Sequence, residues 1–166
     1  MRARPEGELC ARVAIRKAVA QDAEAVAQIT DEAYAKYVPL LGRRPQPMTA
    51  DHRKMILENE VWLLLCADAA AGVLVLVNEP NCVLIYNVAI RPELQKQGLG
   101  RRLLDWAEQE ARRSGCRRIR LYTNALMRAN IALYEQLGYR ETEREPYMGS
   151  TRVHMSKWIE GEGCER

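Results

Sequence analysis

Apolar and polar residues follow one another along this chain with two different periods, and the periods define its elements. Arg12–Ala18 alternates residue by residue like a strand, and Val19–Tyr37 then carries apolar positions at the spacing of one helix face. Two apolar runs, Val61–Ala67 and Gly72–Val77, flank a turn of small residues and predict a hairpin. Cys82–Ile90 predicts a further strand, so the first half reads strand, helix, hairpin, strand.

The second half predicts two helices that each stop at a glycine. Gly98–Ser114 and Leu126–Leu137 have helical periodicity, and Arg117–Thr123 between them is typical of a strand. Val153–Trp158 closes the chain as the second of two last strands. Strand, helix and strand from Cys82 to Thr123 imply a right-handed parallel crossover. The order of elements therefore predicts a mixed α/β sheet covered by helices.

The longest irregular segment separates the first helix from the hairpin. Val38–Met48 (VPLLGRRPQPM) contains three prolines and a glycine, which predict a loop. Thr49 is placed to cap a short helix that runs through Asn59. A loop of this length inside a compact domain often belongs to a binding site.

Composition and length narrow the class of protein. A chain of 166 residues, 48% hydrophobic and 28% charged, suits one folded domain, so we expect residues 1–166 to form a single domain. No apolar run approaches the roughly 20 residues of a bilayer span, and the N-terminal segment MRARPEGELC lacks the apolar centre of a secretory signal. We therefore expect a soluble, cytoplasmic protein that has no membrane partner.

The cysteines do not form a recognisable framework. They are widely spaced, odd in number and without a C-x-x-C pair: Cys10, Cys66, Cys82, Cys116 and Cys164. With only His52 and His154 to add ligands, no zinc site is predicted and we expect no metal. Reduced thiols of a cytosolic protein are the expected state.

Positive charge is concentrated although the net charge is only +3. Seven arginines fall between Arg101 and Arg120, which is compatible with a nucleic-acid patch, a solvated helix face or a phosphate clamp. Glu108 and Arg112 stand at i,i+4 spacing and favour the solvated face. Arg101 and Arg102 occupy the first turn of the predicted helix, where the helix dipole is already positive. Either solvent screens this repulsion or an anion lies against the two side chains.

The segment Gln95–Gly100 (QKQGLG) links the strand that ends at Ile90 to this helix. Its glycines permit positive φ, and the unpaired amides of a helix start point at one spot. The loop therefore has the composition of a phosphate-binding turn, and a tight turn without a ligand is the alternative. It lacks the G-x-x-x-x-G-K-[ST] of nucleoside triphosphatases, and Leu103 stands where G-x-G-x-x-G needs its third glycine.

Two segments resemble the GNAT superfamily, the Gcn5-related N-acetyltransferases. Gln95–Gly100 matches its Q-x-x-G-x-G signature between a strand and a helix, and Asn124–Glu141 (NALMRANIALYEQLGYRE) resembles its late Asn-x-x-x-Tyr and LGY segment. The resemblance covers about 13–158. It implies the GNAT (acyl-CoA N-acyltransferase) fold, an α/β (α+β) arrangement. We expect a mixed, largely antiparallel twisted sheet of roughly six to seven strands with about four flanking helices.

The resemblance also implies acetyl-CoA (coenzyme A) as acyl donor. In relatives the loop amides hold its pyrophosphate, which here implies Gln95, Lys96, Gln97, Gly98, Leu99, Gly100 and Arg101, with Arg102 as added charge. The preceding strand of relatives holds the pantetheine arm and is splayed from the next strand, which implies Val88, Ala89 and Ile90. Asn124 and Asn130 are expected as further coenzyme contacts, and the amide of Val88 as donor to the thioester carbonyl.

Acetyl transfer from a thioester needs a neutral amine, a donor for the oxyanion and a proton for the sulfur. Tyr134 is the expected acid by resemblance, since relatives carry a tyrosine here that faces the sulfur; the alternative is a core tyrosine. It shares a helix face with Met127 and Asn130, beside an apolar stripe formed by Leu126, Leu133 and Leu137.

No base is evident, because the strand VLIYNVAI contains no acid. Its polar residues Tyr86 and Asn87 are expected to orient the amine or a water molecule, which makes Asn87 a candidate catalytic residue. The acids elsewhere, Glu32, Asp51 and Glu79, are alternatives that also suit plain surface positions. The acceptor is expected to contact Tyr34, Tyr37, Met48, Tyr86 and Asn87, where Met48 lies in a G-x-x-P-x-P-M-x-x-D pattern resembling that of bacterial relatives.

The sequence thus predicts an acetyl-CoA-dependent N-acetyltransferase that transfers acetyl directly to an amine of a small molecule, peptide or protein. A catalytically silent acyl-CoA sensor or scaffold is the alternative, because the base is missing. A nucleic-acid binder using the arginines is a second alternative, although we expect no nucleic-acid partner. The sequence leaves open whether the protein forms a homodimer.

Overall fold

The computed structural model describes residues 10–160, which form one seven-stranded sheet with helices on both faces. The strands are β1 (Val13–Lys17), β2 (Glu60–Cys66), β3 (Ala69–Glu79), β4 (Cys82–Ile90), β5 (Arg118–Asn124), β6 (Arg140–Tyr147) and β7 (Ser150–Trp158). The helices are α1 (Ala23–Tyr34), α2 (Tyr37–Leu41), α3 (His52–Glu58), α4 (Leu99–Arg113) and α5 (Arg128–Gln136). Short 3-10 turns span Ala20–Asp22, Gln46–Thr49 and Pro92–Leu94.

The sheet has the strand order β1-β2-β3-β4-β5-β7-β6. Among the described strands, β4 and β5 are parallel neighbours and the remaining neighbours are antiparallel. The parallel pair is the crossover through α4 that the sequence predicts, and the hairpin of β2 and β3 is confirmed as well. The fold is therefore the expected mixed, largely antiparallel one.

Each face of the sheet buries its own core. Residues alternate along β2 and β3, so that Leu64 and Leu74 pack toward α4 while Leu63 and Val73 pack toward α1. Helix α1 contributes its buried stripe to the second core, namely Val26, Ile29, Thr30 and Ala33. Helix α4 contributes Leu99, Leu103, Leu104, Ala107 and Ala111 to the first. The two cores hold the C-terminal end of β4 between them, and the candidate site lies at this end.

A β-bulge in β4 opens the sheet. The pairing of β3 with β4 passes from Leu76↔Ile85 to Val75↔Asn87, which leaves Tyr86 as an extra residue. Pairing of β4 with β5 stops at Ile85↔Leu121, immediately before this residue. Because a bulge bends its strand and increases the local twist, the two strands separate here. Residues 86–90 consequently have no ladder partner in β5.

The region after α1 differs from the prediction. The first helix ends at Tyr34 rather than Tyr37, because Pro39 has no N–H to donate to the carbonyl of residue 35. A second helix, α2, begins at Tyr37 and occupies the first residues of the segment expected to be a loop, Val38–Leu41, and Gly42 ends it with φ of 68°. The cap of α3 is also not Thr49, since the Asp51 carboxylate accepts the Lys54 N–H at 3.1 Å.

The expectation of reduced thiols is wrong for two cysteines. Cys10 and Cys66 form a disulfide with 5.7 Å between their Cα atoms, whereas Cys82 and Cys116 are free. The antiparallel register of β1 and β2 pairs Val13 with Cys66, so the segment before β1 runs past the end of β2. Cys164 lies outside the described residues. Within 10–160, no helix combines the length and apolar character that crossing a bilayer requires.

Candidate active site

The turn before α4 presents a row of main-chain donors. Lys96 and Gly98 have left-handed backbones with φ of 63° and 77°, which rotate successive amides toward one side. Among residues 10–160, no group accepts a hydrogen bond from the six amides of residues 96–101, and the first helical bond is Arg102 N–H to Gly98 O at 3.1 Å. A Cβ built on Gly98 would meet nothing within 4 Å. The turn is an open concavity of unpaired donors, which suits an anion.

The side chains near this turn are of two kinds: glutamines that stabilise its conformation and cations that form no ion pair with a described residue. Gln95 donates through Nε2 to the Ile90 carbonyl at 3.0 Å and accepts from Lys36 Nζ at 3.2 Å. Gln97 accepts the Cys10 N–H at 3.2 Å, which joins the turn to the disulfide. These two glutamines therefore hold the turn in shape. Three exposed cations form no ion pair with any described carboxylate: Lys96, Arg101 and Arg102.

The splayed end of β4 offers main-chain groups beside this turn. Val88 is half-buried, while the side chains of Ala89 and Ile90 are buried in the two cores. The Val88 carbonyl accepts a hydrogen bond from the Tyr34 hydroxyl at 3.5 Å. Burial raises the pKa of Tyr34 well above its usual value, so the hydroxyl stays protonated. Helix α1 thus contacts the exposed edge of β4 through one phenol.

A pocket of about 630 Å³, open mouth included, lies where β4 and β5 diverge. Tyr134 from α5 lines it with a side chain only 9% exposed. Burial, and secondarily the proximity of Tyr37, raises the pKa of Tyr134 to about 12. A neutral phenol where the two strands diverge can donate a proton to a leaving group at physiological pH.

Two asparagines are built into the same wall. Asn130 lines the pocket and its Oδ1 accepts a hydrogen bond from the Tyr37 hydroxyl at 3.4 Å. Asn124 is 8% exposed; its Nδ2 donates to Ser150 Oγ at 2.9 Å and its Oδ1 accepts the Leu126 N–H at 2.9 Å. Most of the hydrogen-bonding capacity of Asn124 is used internally, whereas Asn130 keeps its amide nitrogen toward Met127 Sδ at 3.9 Å.

Three residues expected at the acceptor lie elsewhere. Asn87 is 2% exposed and donates to Thr30 Oγ1 at 3.0 Å, because the bulge at Tyr86 turns the next residue toward α1. Tyr37 reaches the pocket only through Asn130, and Met48 is not among the lining residues. Of the five expected acceptor contacts, Tyr34 and Tyr86 do line the pocket.

A model described as the acetyltransferase (GNAT) family matches residues 23–139, more than half of the chain. The chain belongs to the acetyltransferase (GNAT) family. Among curated GNAT proteins, the [ribosomal protein bS18]-alanine N-acetyltransferase of Escherichia coli (strain K12) is 41% identical over 68 residues, covering 40% of this chain and 46% of that protein. The uncharacterized N-acetyltransferase YvbK of Bacillus subtilis (strain 168) is 31% identical over 99 residues, covering 56% and 64%. The matches thus span about half to two thirds of these relatives.

Solved GNAT structures share the fold across almost the whole chain. The PaiA N-acetyltransferase of Thermoplasma acidophilum, in complex with coenzyme A, gives a TM-score of 0.75 at 18% identity and covers 89% of this chain and 99% of that one. YncA of Salmonella typhimurium, with its cofactor acetyl-CoA, gives 0.70 at 20% identity and covers 94% and 99%. Identities this low establish the GNAT architecture alone.

Residues that the sequence did not single out complete this GNAT pocket. These are Tyr122 on β5, Tyr147 on β6 and Arg152 on β7; Arg43 also lines the pocket and lies in the long loop that was expected to form a wall of the acceptor site. Arg152 carries its guanidinium carbon 4.3 Å from the ring centroid of Tyr122 and 3.6 Å from that of Tyr147. The register of β7 against β5 would have been the signal, because it pairs Arg152 with Asn124.

The three acids considered as bases all have other partners. Glu79 accepts two hydrogen bonds from Arg120 at 2.7 and 2.5 Å, and these bonds lower the pKa of Glu79. Glu32 pairs with Arg91 at 2.8 Å, and Asp51 caps α3. None of the described pocket-lining residues is an aspartate or a glutamate. The pocket therefore offers this GNAT protein no carboxylate base.

Proposed function

We propose that this chain is an acetyl-CoA-dependent N-acetyltransferase that transfers acetyl directly to an amine. The observation that carries the proposal is the row of unpaired amides at residues 96–101 beneath the open side of Gly98, next to a pocket that contains a protonated tyrosine. Membership of the acetyltransferase (GNAT) family and the acetyl-CoA named with YncA support the choice of donor.

The main chain would hold most of the coenzyme. The six amides and the dipole of α4 suit a pyrophosphate, and the unpaired charges of Lys96, Arg101 and Arg102 add to its attraction. Val88, Ala89 and Ile90 lack a ladder partner in β5. The carbonyls of Val88 and Ile90 accept hydrogen bonds from Tyr34 and Gln95, which leaves the N–H groups of these two residues as the ones that suit a pantetheine arm. In this assignment the Val88 N–H is the donor for the thioester oxygen.

Bound acetyl-CoA supplies the thioester carbonyl that an amine attacks. Tyr134 then donates its proton to the departing sulfur, and its pKa of about 12 keeps that proton in place at physiological pH. Asn130, on the same wall, accepts a hydrogen bond from Tyr37 behind it, and this contact positions the first turn of α5.

The acceptor amine must lose its proton without a carboxylate from the pocket wall. An α-amine with a pKa near 7.7 is partly neutral at physiological pH, whereas a lysine amine near 10.4 is almost wholly charged. We therefore propose acceptors whose amines titrate near neutrality, with proton release to solvent. Asn87, which hydrogen-bonds Thr30 in the core, has no part in this step.

A catalytically silent acyl-CoA sensor is the second candidate, and the missing carboxylate favours it. The two are separated by calorimetric titration with acetyl-CoA followed by an assay of thiol release over a broad panel of amines. We expect binding of acetyl-CoA and release of coenzyme A with at least one acceptor. Tight binding without turnover across the panel would favour the sensor, and no coenzyme binding would refute both.

A further inference from the structure

One end of the pocket is a cationic box, which we define as Arg152, Arg43, Tyr122 and Tyr147. The Arg152 guanidinium is stacked between the two tyrosine rings, and the guanidinium carbon of Arg43 lies 5.2 Å from the ring centroid of Tyr147. Stacking on both faces fixes the plane of the Arg152 guanidinium and leaves its edge as the donor surface. The Arg152 side chain is 17% exposed, so this positive charge is largely shielded from water.

The charge of the cationic box is only partly compensated. Arg43 and Arg152 are the charged residues among the described pocket lining, and both are positive. Glu145, on the neighbouring strand, lies 3.6 Å from Arg152 Nη1 but is closer to His154 Nε2, at 2.9 Å. One carboxylate thus serves two basic partners, and it stands outside the pocket lining.

Donors of the cationic box remain available as well. Arg152 Nη2 donates to the neutral amide oxygen of Gln46 at 3.3 Å, and the Tyr122 hydroxyl donates to the same oxygen at 3.2 Å. The Nε of Arg43 is buried and has no hydrogen-bond acceptor among residues 10–160. Buried donors normally have partners, so an acceptor atom from a bound molecule would complete this end of the pocket.

These observations exclude a polycation and favour an anion. A polyamine would bring further positive charge against two shielded arginines with no carboxylate in the wall. A planar carboxylate matches the edge of a guanidinium, which can bind it through two parallel N–H···O bonds. Tyr134 lies at the other end of the same pocket, on α5, where the amine must arrive.

We propose that the acceptor is a small amine that also carries a carboxylate, and that Arg152 and Arg43 bind this carboxylate while the amine reaches the end lined by Tyr134. The inference rests on the proposed acetyltransferase function and specifies its substrate class. Arg152 is in this view the main determinant of acceptor specificity, because its guanidinium is the more tightly held of the two.

Matched acceptor pairs that differ by one carboxylate test the inference. Glycylphenylalanine is compared with glycylphenylalaninamide and alanylglycine with alanylglycinamide, each at saturating acetyl-CoA, because the α-amines of these peptides titrate near neutrality. We expect the carboxylate member of the accepted pair to have kcat/KM roughly 10- to 100-fold higher, mostly through KM, as for a charge-assisted hydrogen bond. Arg152→Gln should abolish this preference, and Arg152→Lys should restore only part of it, since lysine lacks the planar fork.

Arg117→Gln is the matched control, because Arg117 is exposed beside the opposite end of β5 and has the same charge. It should keep the preference, and all variants should bind coenzyme A as the unaltered protein does. Equal use of both members, a preference for the amide member, or a preference that survives Arg152→Gln would overturn the inference while leaving the acetyltransferase intact. If no pair is turned over, calorimetric binding of the carboxylates to the coenzyme A complex decides, and failure to bind coenzyme A would count against the proposed function instead.

Discussion

The two sides of the opening between β4 and β5 differ in the chemical groups that form them: peptide groups on one side and side chains on the other. On the coenzyme side, the proposed contacts come from one continuous stretch, 88–101, and are mostly peptide groups. On the acceptor side, the pocket collects tyrosine and arginine side chains from α1, the loop after α2, and β4 to β7. One side therefore depends on backbone geometry, and the other on which side chains distant elements bring together.

This difference predicts how each side responds to substitution. A main-chain site tolerates most side-chain changes but fails where the backbone needs a special conformation, as at Gly98 with φ of 77°. A side-chain site keeps its fold but changes its chemistry with each substitution, as proposed for Arg152. Tyr134 on α5 lies between the main-chain site and the side-chain site, so its hydroxyl can serve both.

The largest effect is expected for Tyr134→Phe. Removing the proposed acid should lower kcat by roughly 10²- to 10⁴-fold, with little change in the affinity for coenzyme A, because the turn at 96–101 is untouched. Stopped-flow thiol release and calorimetry measure the two quantities separately.

Tyr139→Phe is the matched control for this prediction. Tyr139 packs edge-on against Tyr134 at 5.9 Å between ring centroids, and its buried hydroxyl has no partner among the described residues. Loss of that hydroxyl should leave kcat unchanged. Equal rates for Tyr134→Phe and the unaltered protein would remove Tyr134 as the acid and strengthen the sensor alternative.

The coenzyme side could be predicted from sequence because its information is local. The strand Cys82–Ile90 is observed with the predicted bounds, and the turn at Gln95–Gly100 leads into a helix within one residue of the predicted start. Glycines and a strand-to-helix order determine the backbone there without help from distant residues. The opening of the sheet was implied by the family resemblance alone, since the bulge at Tyr86 follows from the pairing of β3 and carries no local signal.

The acceptor side could not be predicted to the same extent because it depends on tertiary pairing. A simple alternation would place Tyr86 and Asn87 on opposite faces of the sheet, yet the bulge leaves both on the face of α1, where Tyr86 lines the pocket and Asn87 donates to Thr30. The register of the β6–β7 hairpin pairs Glu145 with Arg152. The cationic box depends on this register, so it could be recognised only in the structure. For the helix α5 the sequence predicted more burial than the structure has. Leu126 and Leu133 of its predicted apolar stripe are 44% and 40% exposed.

A smaller effect, specific to the main-chain site, is expected for Gly98→Val. The side chain would occupy the open face of the turn, and coenzyme affinity should fall by roughly 100-fold, as for the loss of one or two hydrogen bonds to a charged group. Gly115→Val is its control at the other end of α4, because Gly115 has φ of 78° and equally open space. Both variants should lose about 1–2 kcal/mol of unfolding free energy through the left-handed backbone.

Denaturant unfolding and calorimetry together separate strain from blockage. If Gly115→Val loses coenzyme affinity as strongly as Gly98→Val, the effect is general destabilisation and the main-chain site is not where the phosphates bind. If Gly98→Val alone loses affinity at equal stability, the contrast between the two sides of the opening is sharpened.

The smallest effect concerns the arginines at the two ends of α4, and here stability and binding should move in opposite directions. Arg101 and Arg102 stand at the positive end of the helix dipole, so changing both to Gln should raise the unfolding free energy of the coenzyme-free protein by about 0.3–1 kcal/mol per charge. The same change should weaken coenzyme binding several-fold and make it less sensitive to salt, because exposed cations act on the phosphates through a screened field.

Changing Arg112 and Arg113 to Gln is the matched control, with an equal loss of charge at the negative end of the helix. These arginines pair with Glu108 and Glu110, so their removal should lower stability and leave coenzyme affinity unchanged. Urea unfolding at low salt gives the stabilities, and calorimetry at two ionic strengths gives the affinities. If the coenzyme-free protein loses stability in both double variants, Arg101 and Arg102 are ordinary surface residues. If it gains stability in the first while binding weakens, the unfavourable charge at the start of α4 is a cost that the bound anion offsets.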